Sequence, residues 1–139
     1  KKFFNDYEGA RDAWEYVIVL YPNDSLAFEN LGNLYALYLR DNSKAEYYYK
    51  KAIENNSIES SFYIALADFY KNFLGDNSKA INTILSGLEK IKDANLFLSI
   101  ASLYRDIGDK SNAIKYYQEV LEISPSHPGI QDAIDRLSN

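Results

Sequence analysis

An all-α chain of stacked antiparallel helix pairs is what the sequence predicts, on three observations. First, the run Asp41-Asn42-Ser43-Lys44-Ala45 returns unchanged as Asp76-Asn77-Ser78-Lys79-Ala80, 35 residues later. Second, that register extends over the chain. Alanine recurs at Ala10, Ala45, Ala80 and Ala113, followed at one offset by Trp14, Tyr49, Ile84 and Tyr117, and then by Val17, Ala52, Gly87 and Val120. Third, four more columns precede these: Phe28, Tyr63 and Phe97; Leu31, Leu66 and Ile100; Gly32, Ala67 and Ala101; Tyr35, Tyr70 and Tyr104. Aromatic, aliphatic, small and aromatic residues separated by three, one and three positions share one face of an α-helix. The small residue lets a partner helix approach closely while its large neighbours fill the space beside it. One such pair cannot bury its faces alone, but a stack can.

Phe28-x-x-Leu31-Gly32-x-x-Tyr35 and Ala45-x-x-x-Tyr49-x-x-Ala52 resemble the tetratricopeptide repeat almost column for column, and the likeness recurs in every unit. The resemblance implies a right-handed α-solenoid of about three full repeats, with an N-terminal half repeat and a C-terminal capping helix. Two departures stand out. The turns after Tyr35 and Tyr70 carry one extra residue, and they lack the tyrosine that the family often places there and that the first unit keeps as Tyr7. Lengthened turns also occur in the related Sel1-like repeats, but the small-residue and alanine columns favour the tetratricopeptide reading.

Residues 1–24 form a partial repeat, with 1–4 as the end of a first helix and 7–21 as its second, stopped by Pro22. Asn23 or Asp24 can cap the next helix. The unit 25–58 has helices at 25–40 and 43–55, and the unit 59–93 has them near 58–74 and 78–91. The unit 94–126 has helices at 94–107 and 111–123. Gly75-Asp76 and Gly108-Asp109 each read as a helix stop and start. The cap, 127–139, contains a short helix with Ile130, Ala133, Ile134 and Leu137 on one side and Gln131, Asp132, Asp135 and Arg136 on the other. That is one face for the last repeat and one for water.

Composition narrows the chemistry. Apolar residues make up 47% of the 139 and charged residues 25%, as in globular chains. A net charge of -5 without a basic run argues against nucleic-acid or anionic-membrane binding. No apolar run reaches the roughly 20 residues that cross a bilayer. The absence of cysteine excludes disulfides and thiolate metal sites and leaves the compartment undecided. No signal peptide is visible and there is no methionine, so the chain is expected to be part of a longer protein.

No phosphate loop, nucleophile elbow or zinc-protease motif occurs. The single histidine, His127, reads as a turn residue between Ser126 and Pro128. No catalytic residue, metal or cofactor is expected. Of 13 tyrosines, seven (Tyr7, Tyr35, Tyr49, Tyr63, Tyr70, Tyr104, Tyr117) fall in core columns. Tyr48 and Tyr116 align with a site where the family tolerates an exposed tyrosine, and Tyr16, Tyr21, Tyr38 and Tyr47 stay unassigned.

The resemblance also implies where a partner would sit, since the first helix of each pair lines a concave groove. Carried over, the binding candidates are Leu26, Glu29, Asn33 and Leu37, then Ile64, Asp68 and Lys71, then Asn95, Leu98 and Arg105. Ala36, Ser61, Asn72, Ser102 and Asp106 share that face. Asn33 matches the asparagine that family members use to hold a peptide backbone, and an amide can both donate and accept. The family's clamp for chaperone C-terminal carboxylates needs a Lys and an Asn, then an Asn, then a Lys and an Arg. Here those positions carry Glu29 and Asn33, Ala65, and Asn95 and Ser99. Sliding one unit gives Asn30, Ser61 and Ala65, still without the basic pair. Glu29 would repel a carboxylate, so that partner is excluded.

The leading expectation is therefore a non-catalytic scaffold that binds a peptide or helical segment along Leu26, Ile64, Leu98 and Leu37, anchored by Asn33 with Lys71 or Arg105. Two alternatives stand beside it. One is a self-assembly module, a homo-oligomer packing through the uncapped helix at residues 14–21, from Trp14 to Tyr21. The other is a targeting segment of a larger enzyme or secretion protein.

Overall fold

The computed structural model describes residues 6–139. The helix end expected at residues 1–4 lies outside the described residues. The elements are α1 (Tyr7–Leu20), α2 (Ser25–Leu34) running into a π-helical turn (Tyr35–Leu39), α3 (Asn42–Asn55), α4 (Ser60–Phe73), α5 (Asn77–Leu88), α6 (Ala94–Asp106), α7 (Lys110–Ile123) and α8 (Ile130–Ser138). There is no strand among the described residues. Each helix packs on its neighbours in sequence, and α4 also reaches α6. This is the expected solenoid of antiparallel pairs.

Aspartate starts most of these helices. Asp6, Asp24, Asp41, Asp76, Asp93 and Asp109 each accept a backbone N–H of the first turn through the side chain. Each thereby satisfies one of the donors that a helix N-terminus leaves unpaired. Asp24, not Asn23, caps α2. Because Asp41, Asp76 and Asp109 are caps, α3, α5 and α7 begin one residue earlier than the expected serines. The α4 helix starts at Ser60 and leaves Ile58 outside and exposed. The α5 helix stops at Leu88 because Lys90 and Ile91 both donate back to the Gly87 carbonyl, tightening the last turn.

The lengthened turns have a common design. After α6 the Asp109 N–H closes the turn on the Tyr104 carbonyl, five residues back. After α4 and after the π turn, Asp76 and Asp41 close on the carbonyls of Tyr70 and Tyr35, six residues back. The extra residue is thus absorbed inside a loop that still closes on the same tyrosine column. The left-handed position in these turns is Gly75 (φ 62°) and Gly108 (φ 86°), but in the first full unit it is Arg40 (φ 57°). An L-residue there costs roughly 1–2 kcal/mol, partly offset because glycine has more freedom to lose. Arg40 is exposed, so Arg40→Gly is expected to raise the unfolding free energy by about 0.5–1 kcal/mol in urea denaturation. A loss of stability would show instead that the arginine side chain holds the turn.

The columns form the core. Leu31, Ile84, Ile100, Ala45, Ala80, Ala101, Ala113 and Val120 are completely buried, with Tyr49, Tyr63, Leu66, Ala67 and Tyr117 close behind. On α1 no residue is fully buried; Trp14 and Ile18 are half-buried against the core, while Tyr16, Val19, Leu20 and Tyr21 are exposed. At the other end Ile130 and Ile134 of α8 are buried and Gln131, Asp132, Asp135 and Arg136 face water. Two tyrosines depart from expectation. Tyr48 and Tyr116 are half-buried, each sandwiched between column aromatics. Tyr48 stacks on Tyr35 (5.7 Å) and Phe28 (6.1 Å), and Tyr116 on Tyr104 (5.8 Å) and Phe97 (6.2 Å). They bridge the two helices of a pair, a contact between elements that spacing along one helix does not reveal. Tyr38, thrown outward by the π turn, stacks on Tyr7 at 4.1 Å.

Candidate functional site

The first helices of the pairs, α2, α4 and α6, enclose two hollows in series. The larger, about 300 Å³, lies between α2 with its π turn and α4. Glu29, Asn33 and Leu37 form one wall and Ser61, Ile64, Ala65, Asp68 and Asn72 the other, with Tyr49, Phe69 and Phe73 between them. The smaller, about 170 Å³, lies between α4 and α6 and is lined by Asp68, Lys71, Leu98, Ser99 and Ser102. Asp68 belongs to both, so the two form one line across the repeats.

Helical spacing places the walls. Glu29 and Asn33 lie four residues apart on α2 and Leu37 follows in the π turn, while Ser61, Ala65 and Phe69 recur at four-residue intervals on α4 with Ile64, Asp68 and Asn72 beside them. Of the expected groove residues, Glu29, Asn33, Leu37, Ile64 and Asp68 meet at the larger hollow, and Lys71 and Leu98 at the smaller. Leu26, Asn95 and Arg105 line neither. Leu26 and Asn95 are exposed in the first turns of α2 and α6, where the Asn95 N–H is taken by Asp93. Ala36, expected on the groove face, is buried, because the wider π turn alters the register beyond Leu34.

Several expected anchors are already engaged within the chain. The Tyr49 hydroxyl donates to Asn33 Oδ1 at 2.5 Å, which engages the acceptor side of that amide. Lys71 Nζ binds Asp106 at 2.6 Å, and Arg105 binds the same carboxylate at 3.1 Å and the Tyr117 hydroxyl at 3.1 Å. Lys71 foremost, and then Arg105, hold the Asp106 carboxyl below its ordinary value. This bridge ties the end of α4 to the end of α6.

The larger hollow has the opposite character. Burial first, and then the nearby Glu59, pushes the Glu29 carboxyl up. Burial likewise raises Asp68, with Lys71 only partly opposing it. Tyr49 is pushed up to about 12 by burial and by the charges of Glu29 and Asp68, so both carboxylates bear on the same hydroxyl. Sequence reasoning missed Tyr49, Phe69 and Phe73 as lining residues. Tyr49 falls in a core column, and its ring is indeed buried. The available signal was Phe69 and Phe73, one turn apart and outside every repeat column; they stack at 5.8 Å, and Phe69 meets Tyr49 at 5.3 Å.

Comparison with known proteins agrees with this architecture. A family model described as tetratricopeptide repeat matches residues 94–127. No curated protein sequence matches the chain. Among solved structures, MamA superposes with a TM-score of 0.70 at 21% identity, covering 95% of this chain and 77% of that one. A thermophilic tetratricopeptide repeat protein of Thermus thermophilus gives 0.72 at 18% identity, covering 95% and 73%. The first such domain of Spaghetti (RPAP3), solved bound to an HSP90 peptide, gives 0.65 at 16% identity, covering 82% and 90%. At these identities the likeness is one of fold. Among the described residues no helix is long and apolar enough to cross a membrane, and no cluster of potential metal ligands occurs.

Proposed function

From the tetratricopeptide match over residues 94–127 and the shared fold, we propose that the chain is a non-catalytic scaffold holding a segment of a partner protein in the hollow between α2 and α4. The hollow itself carries this reading. It is concave, is walled by Leu37, Ile64, Phe69 and Phe73, and presents a few convergent polar groups, which is the usual character of a binding site. A solved relative in fold that holds a peptide supports it. The segment's side chains pack on Ile64 and Leu37, and the Asn33 amide N–H₂ donates to its backbone.

Lys71 and Arg105 are poor probes of this site, since replacing either disturbs the Asp106 bridge. Leu37→Ser with Ile64→Ser is the cleaner pair, because Leu37 is exposed and Ile64 half-buried. In affinity capture with the wild-type and double-variant proteins, the double variant is expected to lose about tenfold or more of the captured partner. Its helical circular dichroism is expected to match the wild type. Equal capture by both proteins would dispose of the hollow as the binding surface.

A further inference from the structure

The charge of the larger hollow says what kind of segment it takes. Glu29 and Asp68 stand on opposite walls, and neither has a hydrogen bond or ion pair with another described residue. Glu59 adds to the negative field at Glu29. The cation whose charge bears on Asp68 is Lys71, which is held by Asp106 at 2.6 Å. The other polar lining groups, Asn33, Ser61, Asn72 and Tyr49, are neutral. Around these carboxylates lie Leu37, Ile64, Phe69 and Phe73.

Resting on the reading of the hollow as a peptide site, we propose that its occupant is an extended segment carrying a lysine or arginine flanked by apolar residues. The cationic head lies between Glu29 and Asp68, and its stem packs on Ile64 and the exposed ring of Phe73. Lysine and arginine are the side chains that join a long apolar stem to a charged head, so they match an apolar wall with carboxylates at its rim. An aromatic ring next to the carboxylates adds attraction for a cation. A terminal or side-chain carboxylate would meet two like charges and no free cation, which excludes acidic segments. Burial already raises both carboxyls. A bound cation relieves that cost by supplying the opposite charge the fold withholds.

The test uses the full chain and three fluorescein-labelled ten-residue peptides of Ala and Ser built around Leu-Lys-Leu, Leu-Gln-Leu or Leu-Glu-Leu. Fluorescence anisotropy is expected to show the Lys peptide binding about tenfold more tightly than the Gln peptide, with the Glu peptide weakest. That preference is expected to shrink with added salt. Glu29→Gln with Asp68→Asn, two substitutions outside the core, is expected to abolish the preference while retaining the wild-type melting curve. Equal binding of the three peptides, or no binding by any, overturns the proposal. So does a preference that survives in the Glu29→Gln/Asp68→Asn protein. If the peptides show no charge preference while Leu37→Ser/Ile64→Ser still loses the captured partner, this inference falls and the hollow stands as a binding site. If the Lys peptide binds the Leu37→Ser/Ile64→Ser protein as well as wild type, the hollow falls as well.

Discussion

Ile84→Ala is expected to lower the unfolding free energy by about 2–5 kcal/mol, the cost of emptying a fully buried aliphatic site. Ile84 is completely buried at the centre of α5, in the column that Tyr49 and Tyr117 occupy in the neighbouring units. The α5 helix packs on both α4 and α6, so the vacancy weakens two interfaces at once. In a solenoid each unit is stable only through its neighbours, and a weakened middle unit uncouples the ends. Urea denaturation followed by circular dichroism measures this as a lower midpoint, with a shallower or biphasic transition if the ends separate. A cost below about 1 kcal/mol would contradict a packed, continuous core.

Gly87→Val is expected to destabilise by about 1–3 kcal/mol although it places a better helix former in the last turn of α5. The reason is the Tyr63 ring, whose atoms would lie 2.9–3.1 Å from a Cβ at this position. That ring is buried, and its hydroxyl donates to the Ser57 carbonyl at 2.8 Å, so it is held at both ends. The column carries Val17 and Val120 in other units, and in the unit of Val120 it is Phe97 that stands at the place of Tyr63. Size is therefore shared between the two positions within a unit. Gly87→Ala gives the sharper sign: at an exposed helical site it would stabilise by about 1 kcal/mol, and here it is expected to destabilise. Thermal melts of both variants measure the effect. A raised melting temperature for Gly87→Ala would show that Tyr63 yields and the contact is not close packing.

What the sequence made legible was set by local periodicity. The columns from Phe28 to Val120 revealed which faces are buried, because helical spacing alone decides that. Asp76 and Asp109 marked helix starts because capping needs only a side-chain oxygen beside the first turn. The π turn at Tyr35–Leu39 was visible only as one surplus residue; whether that residue lengthens a loop or widens a helix depends on what Ala36 and Tyr38 can pack against. The groove was legible as a face but not as a site. Asn33, Lys71 and Arg105 looked equally free in sequence, yet across helices the Tyr49 hydroxyl takes Asn33, Asp106 takes Lys71 and the Tyr117 hydroxyl takes Arg105, through long side chains whose reach no spacing rule gives. The same geometry leaves Glu29 and Asp68 without a hydrogen bond or ion pair among the described residues.

The most direct measurement of the central claim is an amide chemical-shift titration of the isotope-labelled chain with the Leu-Lys-Leu peptide. Occupation of the hollow shifts Glu29, Asn33, Ser61, Ile64, Asp68 and Asn72 together and leaves the outward residues of α5 and α7, such as Ser86 and Lys115, in place. Shifts confined to the exposed side of α1 at Tyr16, Val19 and Tyr21, or absent from α2 and α4 at saturating peptide, would contradict it.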